Sequence, residues 1–247
     1  MNTPRQTIDC GSGPALVLLH GAGVDPDLWQ PQIAHFSQTH RVIAPVLPGH
    51  AGRPPVASVE AMAEDVLRQL DGVAEFALVG LSLGGMVALE IAARCPERVT
   101  HLVLAESVPC VVSTPIGRAL MAGTLAIMGR IPPRWMAWLP AKHLGAASAE
   151  AAAYLVARLK ETRAQDNRAV LNLALRYDGR RHLAQITSPA LVVVGALNRA
   201  THARAHAMAQ AMAQAQFTTL ADASHLVNWD ARDAFNQTLS SFLGDPL

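Results

Sequence analysis

A serine hydroxyl attacks a carbonyl at neutral pH only if a base takes its proton and donors receive the charge that develops. Ser82 has the local setting for this. It stands in Gly80-Leu81-Ser82-Leu83-Gly84, between the apolar run "FALV" and an amphipathic stretch. A serine raised on a sharp strand-to-helix turn needs small flanking residues and presents its Oγ above the sheet edge. The Leu83 N–H and the helix N-terminus then point at a developing oxyanion. The second donor should come from the loop after the first apolar strand, "HGAG" at 20–23. The Ala22 N–H is the candidate, with the His20 ring expected to brace the loop rather than touch substrate.

The base should follow a late strand. Of ten histidines, His225 is the one so placed, in "ADASHLVNWDARDAFNQTLSSFL" at 221–243, between a strand and the final helix. His202 and His206 stand four apart on a helical pattern. Without a third ligand they read as a solvated face rather than a metal site. His50, in "PGHAG", is expected to be structural at the pocket edge, and Arg53 to serve the surface rather than clamp an anion.

These residues need a scaffold that brings them to one edge. Short apolar runs at 14–21, 41–50, 75–80, 100–107, 189–196 and 216–224 predict buried strands. The segment 58–73 opens on Ser58 and carries Met62, Val66 and Leu70 at helical spacing. An alanine-rich helix is expected over 202–216. Strands alternating with helices imply right-handed crossovers and a mostly parallel sheet. Residues 108–184 break the rhythm, with helical patterns at 115–129, 133–139, 147–163 and 165–177. The expected division is a core of 1–107 and 185–247 and a helical cap of 108–184. Met121, Leu125, Met128, Trp135 and Trp138 concentrate in the cap and are the candidate lining of an apolar substrate pocket.

The 247 residues are 51% hydrophobic and 16% charged, with net charge +1. That composition supports a large core and offers no basic stripe for nucleic acid. Cys10, Cys95 and Cys110 lack CxxC spacing and read as reduced thiols. No long apolar run lies near Met1, and no segment has the roughly 18 consecutive apolar residues of a membrane span. A cytoplasmic protein is expected, compatible with a homodimer, needing no cofactor and taking a small-molecule substrate.

With "HGAG", "PGHAG", "GLSLGG" and "SHLVNWDARDAFNQTLSSFL" in order, the chain resembles the α/β-hydrolase fold, in its lidded esterase and lactonase form. The resemblance runs from about residue 11 to 244 and is weakest in the cap. It implies an α/β architecture: an eight-stranded, mostly parallel sheet, shortened at the N-terminus and flanked by helices. Carried over residue by residue, it makes Ser82 the nucleophile, His225 the base, and Leu83 with Ala22 the oxyanion hole. The chain departs from the pattern twice. Val46 stands where an aspartate is common before "LPGH", a place that is usually structural. Asn198 stands where the loop after "LVVVG" usually supplies the triad aspartate, and no acidic residue lies between Asp178 and Asp222.

The third member of a triad holds the imidazole tautomer and stabilises the imidazolium. The Asn198 amide oxygen could accept from Nδ1–H but brings no charge. Glu106 ends the apolar run "LVLAE", on the strand where some relatives place their acid. A carboxylate there is costly unless paired. Glu106 and Asn198 are therefore both candidates, alone or together, with Asp222 and Asp230 poorer ones. The expected activity is cofactor-independent cleavage of a small or medium ester, thioester or lactone through an acyl-enzyme. The alternatives are carbon–carbon cleavage, cyclisation or elimination with His225 as base, and a ligand-binding pseudoenzyme.

Overall fold

The computed structural model describes residues 6–128, 135 and 138–245, with only the backbone of Met128, Ala141 and Lys142. Seven strands form one sheet: β1 (Ile8–Cys10), β2 (Ala15–Leu19), β3 (Arg41–Ala44), β4 (Phe76–Leu81), β5 (Val99–Ala105), β6 (Ala190–Gly195) and β7 (Ala215–Leu220). Their order is β1-β3-β2-β4-β5-β6-β7. Only β1 runs antiparallel, pairing with β3 at the edge. The sheet thus has seven strands among the described residues, in keeping with an eight-stranded pattern shortened at the N-terminus.

The central strands are buried on both faces because each face receives helices. Alternate side chains sort the core into two layers. Val17, Leu19, Leu78 and Leu104 face α2 (Val59–Gln69), α3 (Leu83–Arg94) and α8 (Arg199–Gln210). Leu16, Leu18, Val79 and Val103 face α1 (Gln30–Phe36) and α10 (Arg232–Leu243). Ser58 starts α2 as read, accepting from the Ala61 N–H at 3.2 Å. The helix expected over 202–216 spans Arg199–Gln210, and β7 begins at Ala215.

Between β5 and β6 lie α4 (Pro115–Met128), α5 (Ala141–Leu144), α6 (Ala149–Glu161) and α7 (Ala164–Arg176), with no strand among the described residues. The pattern at 133–139 falls largely outside the described residues. Ser148 caps α6, its Oγ accepting from the Ala151 N–H at 3.1 Å. This insert joins the sheet domain by an ion pair, Arg158 to Asp25 at 2.7 Å. No described helix is long and apolar enough to cross a membrane.

Candidate active site

The parallel strands end together, and the candidate residues leave from those ends. Leu81 and Ala105 are register partners, so Ser82 and Glu106 exit side by side from β4 and β5. The Ser82 N–H donates to the Ala105 carbonyl at 2.9 Å. Its backbone has φ 55° and ψ −112°, a conformation that costs a side-chain-bearing residue energy. The turn closes because its glycines have no side chain: a Cβ on Gly80 would lie 2.3 Å from the Gly84 carbonyl oxygen, and one on Gly84 2.1 Å from that of Leu19. Ser107 Oγ donates to the Ser82 carbonyl at 2.9 Å, bracing the turn.

The loop after β2 lies against this turn. A Cβ on Gly21 would sit 3.5 Å from the Ser82 Cβ. Ala22 follows Gly21 directly in the chain. Two buried histidines hold the loop. His20 accepts from the Leu47 N–H at 3.1 Å through Nε2, so its proton is on Nδ1, which donates to the Gly21 carbonyl at 2.8 Å. His50 accepts from the Gly23 N–H at 3.1 Å and donates to the Pro48 carbonyl at 3.1 Å. Burial holds both rings neutral, His20 well below the usual histidine range, helped by the neighbouring His50, and His50 down to about 4. Arg53 is also structural, donating to the Val46 carbonyl and pairing with Asp65 at 2.9 Å.

Glu106 leaves β5 with φ 48° and carries a fully buried side chain. Oε1 accepts from the Gly195 N–H at 2.6 Å. Oε2 accepts from Asn198 Nδ2 at 2.6 Å and Thr201 Oγ1 at 3.0 Å, and lies 3.4 Å from His225 Nδ1. These donors offset the desolvation of the carboxylate. Asn198 differs from the acceptor expected. Its amide nitrogen, not its oxygen, lies nearest the pair, 3.3 Å from His225 Nδ1. Turning the amide over would set Oδ1 against a carboxylate oxygen, so the charge on Glu106 fixes the orientation. Asn198 thus donates to Glu106 and leaves Nδ1–H to the carboxylate. Nε2 of His225, the nitrogen a serine would use, has no hydrogen bond among the described residues. Such contacts are often long before substrate binds and tighten in the complex.

Asp222 is exposed. Asp230 is held by the N–H groups of Ala147, Ser148 and Ser224, so neither takes the acid's place beside the ring. His206 is exposed, as expected, and meets Phe217 edge-on, whereas His202 is half-buried and donates to the Gly195 carbonyl at 2.9 Å. Sequence reading missed Thr201 and the Gly195 N–H. Thr201 was discoverable as a hydroxyl one helical turn beyond Asn198.

A cavity of about 470 Å³ opens one residue beyond Ala22, walled by Gly23, His50, Arg158, Thr162 and Asn167 among others. Its walls are not the apolar residues expected. Met121 (40%), Trp135 (61%) and Trp138 (89%) are exposed, Leu125 is half-buried, and the Met128 side chain lies outside the described residues. The reason is that α4 packs on α7 and turns Ile116, Leu120 and Ile127 to solvent. No group of three or more His, Cys, Asp or Glu suited to a metal occurs among the described residues.

Comparison with known proteins fits this arrangement. A model of the alpha/beta hydrolase family matches residues 16–238. A pimeloyl-[acyl-carrier protein] methyl ester esterase of Photobacterium profundum is 31% identical over 246 residues, 94% of this chain and 96% of that one. Its counterpart in Aromatoleum aromaticum is 42% identical over 103 residues, 41% of this chain and only 40% of its own length. The enol-lactonase structure from Burkholderia xenovorans superposes with a TM-score of 0.79 at 27% identity, over 97% of this chain and 96% of the lactonase.

Proposed function

Because this chain belongs to the alpha/beta hydrolase family, we propose that it cleaves a small to medium carboxylic ester, thioester or lactone through a covalent Ser82 intermediate. The named relatives are methyl ester esterases and an enol-lactonase, which supports ester hydrolysis; the activity, the residues and the steps are our reading. The observation that carries it is the Glu106–His225 pair, 3.4 Å apart, beside the strained turn that lifts Ser82. Residues 108–184 act as the cap over this edge.

His225 Nε2 takes the hydroxyl proton as Ser82 Oγ bonds to the carbonyl carbon. The carbonyl oxygen becomes an oxyanion, received by the N–H groups of Leu83 and Ala22. The bond from the carbonyl carbon to the leaving group's oxygen, or to its sulfur in a thioester, then breaks, and the imidazolium returns its proton to that atom. Water, deprotonated by the same ring, attacks the acyl-enzyme. Its hydroxyl stays on the carbonyl carbon, and Ser82 regains a proton. The Glu106 carboxylate keeps Nδ1–H oriented and stabilises the imidazolium.

The relatives' names supply the probes. A simple methyl ester, a lactone and p-nitrophenyl acetate should each be hydrolysed. A fluorophosphonate should label Ser82 at one per chain, and Ser82→Ala should abolish labelling and lower kcat by about a millionfold. Absence of both labelling and turnover in the wild type would sink this reading and favour a pseudoenzyme.

A further inference from the structure

We infer that Asp230 is a positioning residue that ties the catalytic histidine to the insert, an inference that rests on the hydrolase reading above. Asp230 ends α9 (Val227–Asp230), five residues past His225. Its carboxylate joins two separate chain segments. Oδ1 accepts from the N–H groups of Ala147 at 2.9 Å and Ser148 at 2.8 Å, at the start of α6. Oδ2 accepts from the Ser224 N–H at 2.9 Å, the residue just before His225. The residue just after is held from the same side, with the Leu226 N–H donating to the Gly145 carbonyl at 3.0 Å.

His225 is therefore fastened on both flanks to the segment 145–148. The fit between them is close. Gly145 has φ 88°, and a Cβ there would lie 2.9 Å from the His225 Cβ. Nothing flexible stands between them to yield, so a side chain at 145 would push the histidine off its place. A carboxylate suits this clasp because it accepts from three N–H groups at once, whereas an amide at 230 would turn a donor toward one of them. The ring's distance to Glu106 and to Ser82 is thus set partly by where the insert sits, and misplacement of about 1 Å can cost a hundredfold in rate.

The test compares wild type, Asp230→Asn, Gly145→Ala and the double variant, well below their melting temperatures. Active sites are counted by fluorophosphonate labelling of Ser82, and kcat and KM for p-nitrophenyl acetate are expressed per labelled site. Each single variant should lower kcat by about tenfold to a hundredfold with KM within about threefold. The double variant should be no slower than the product of one full effect and a small remainder, because both act through one imidazole. If Asp230→Asn fails to fold, Gly145→Ala carries the test alone. A fall in melting temperature with kcat per site unchanged, or losses that multiply in full, would overturn the inference. Failure of the wild type to label would instead count against the hydrolase reading.

Discussion

Glu106→Gln changes one buried atom and removes one charge. In the structure, Oε2 of Glu106 faces three donors, from Asn198, Thr201 and His225, and Oε1 faces the Gly195 N–H. Glutamine must turn its amide group toward one of these sets. The smaller conflict is with the single Gly195 N–H, so the amide oxygen stays with the other three and the ring keeps its tautomer. What is lost is the charge opposite the imidazolium. At 3.4 Å and an effective dielectric of about 20, that attraction is about 5 kcal/mol. The ring is 33% exposed, so solvent reduces the figure to about 4 kcal/mol, roughly a thousandfold in rate. The corresponding change in a serine protease costs about 10⁴, mostly through the wrong tautomer. We therefore expect kcat/KM for p-nitrophenyl acetate to fall between about 10³ and 10⁴, with the labelling rate of Ser82 falling in parallel.

The partner experiment moves the charge instead of deleting it. In Glu106→Gln with Asn198→Asp, the carboxylate transfers to the other side of the ring, and the amide introduced at position 106 can donate to it. Activity should return to within about tenfold of wild type. A rate for Glu106→Gln within a few-fold of wild type would refute the assignment of the acid.

Thr201→Val removes one donor from Oε2 and should lower kcat/KM about fivefold, or about 1 kcal/mol, in the same assay. Arg158→Met takes away the cation paired with the buried Asp25 and should cost about 3 kcal/mol in urea unfolding. His50 is held at about 4 in the folded chain, against about 6.5 when unfolded. The folded state therefore refuses a proton that the unfolded chain accepts. Stability is full above pH 6.5 and falls as the pH drops toward 4, by about 1.4 kcal/mol per unit for this one group. His20 adds to the loss in the same direction. Urea midpoints at pH 7 and pH 5 should show the fall, and His50→Gln should flatten it. An equal slope in that variant would show that His50 is not its source.

The central strands were legible because burial on both faces leaves unbroken apolar runs, and "FALV" or "LVVV" has few other uses. β1 was not: three residues at a sheet edge, with Asp9 exposed between its neighbours, carry no such signal. The Ser82 turn was legible because Gly80 answers to a contact within the turn itself, although Gly84 answers to the Leu19 carbonyl on β2. Glu106 was half-legible. A charge ending an apolar strand demanded a partner, but the sequence does not say that Asn198 and Thr201 arrive from a different strand to meet it. The amide's direction was misread for the same reason, since it is set by a carboxylate 92 positions away. The exposure of Met121 was not legible because an apolar helix in an insert can face either way. Only packing on α7 decides that α4 turns outward.

The bend at Ser82 holds a conformation that glycine adopts freely, so the intact protein gives up about 1–3 kcal/mol of resilience at the atom that reacts. Ser82→Gly should melt at a higher temperature than the natural chain and catalyse nothing. A hunt for heat-hardy variants guided by melting curves alone would reward that exchange early, selecting for ruggedness while discarding the chemistry.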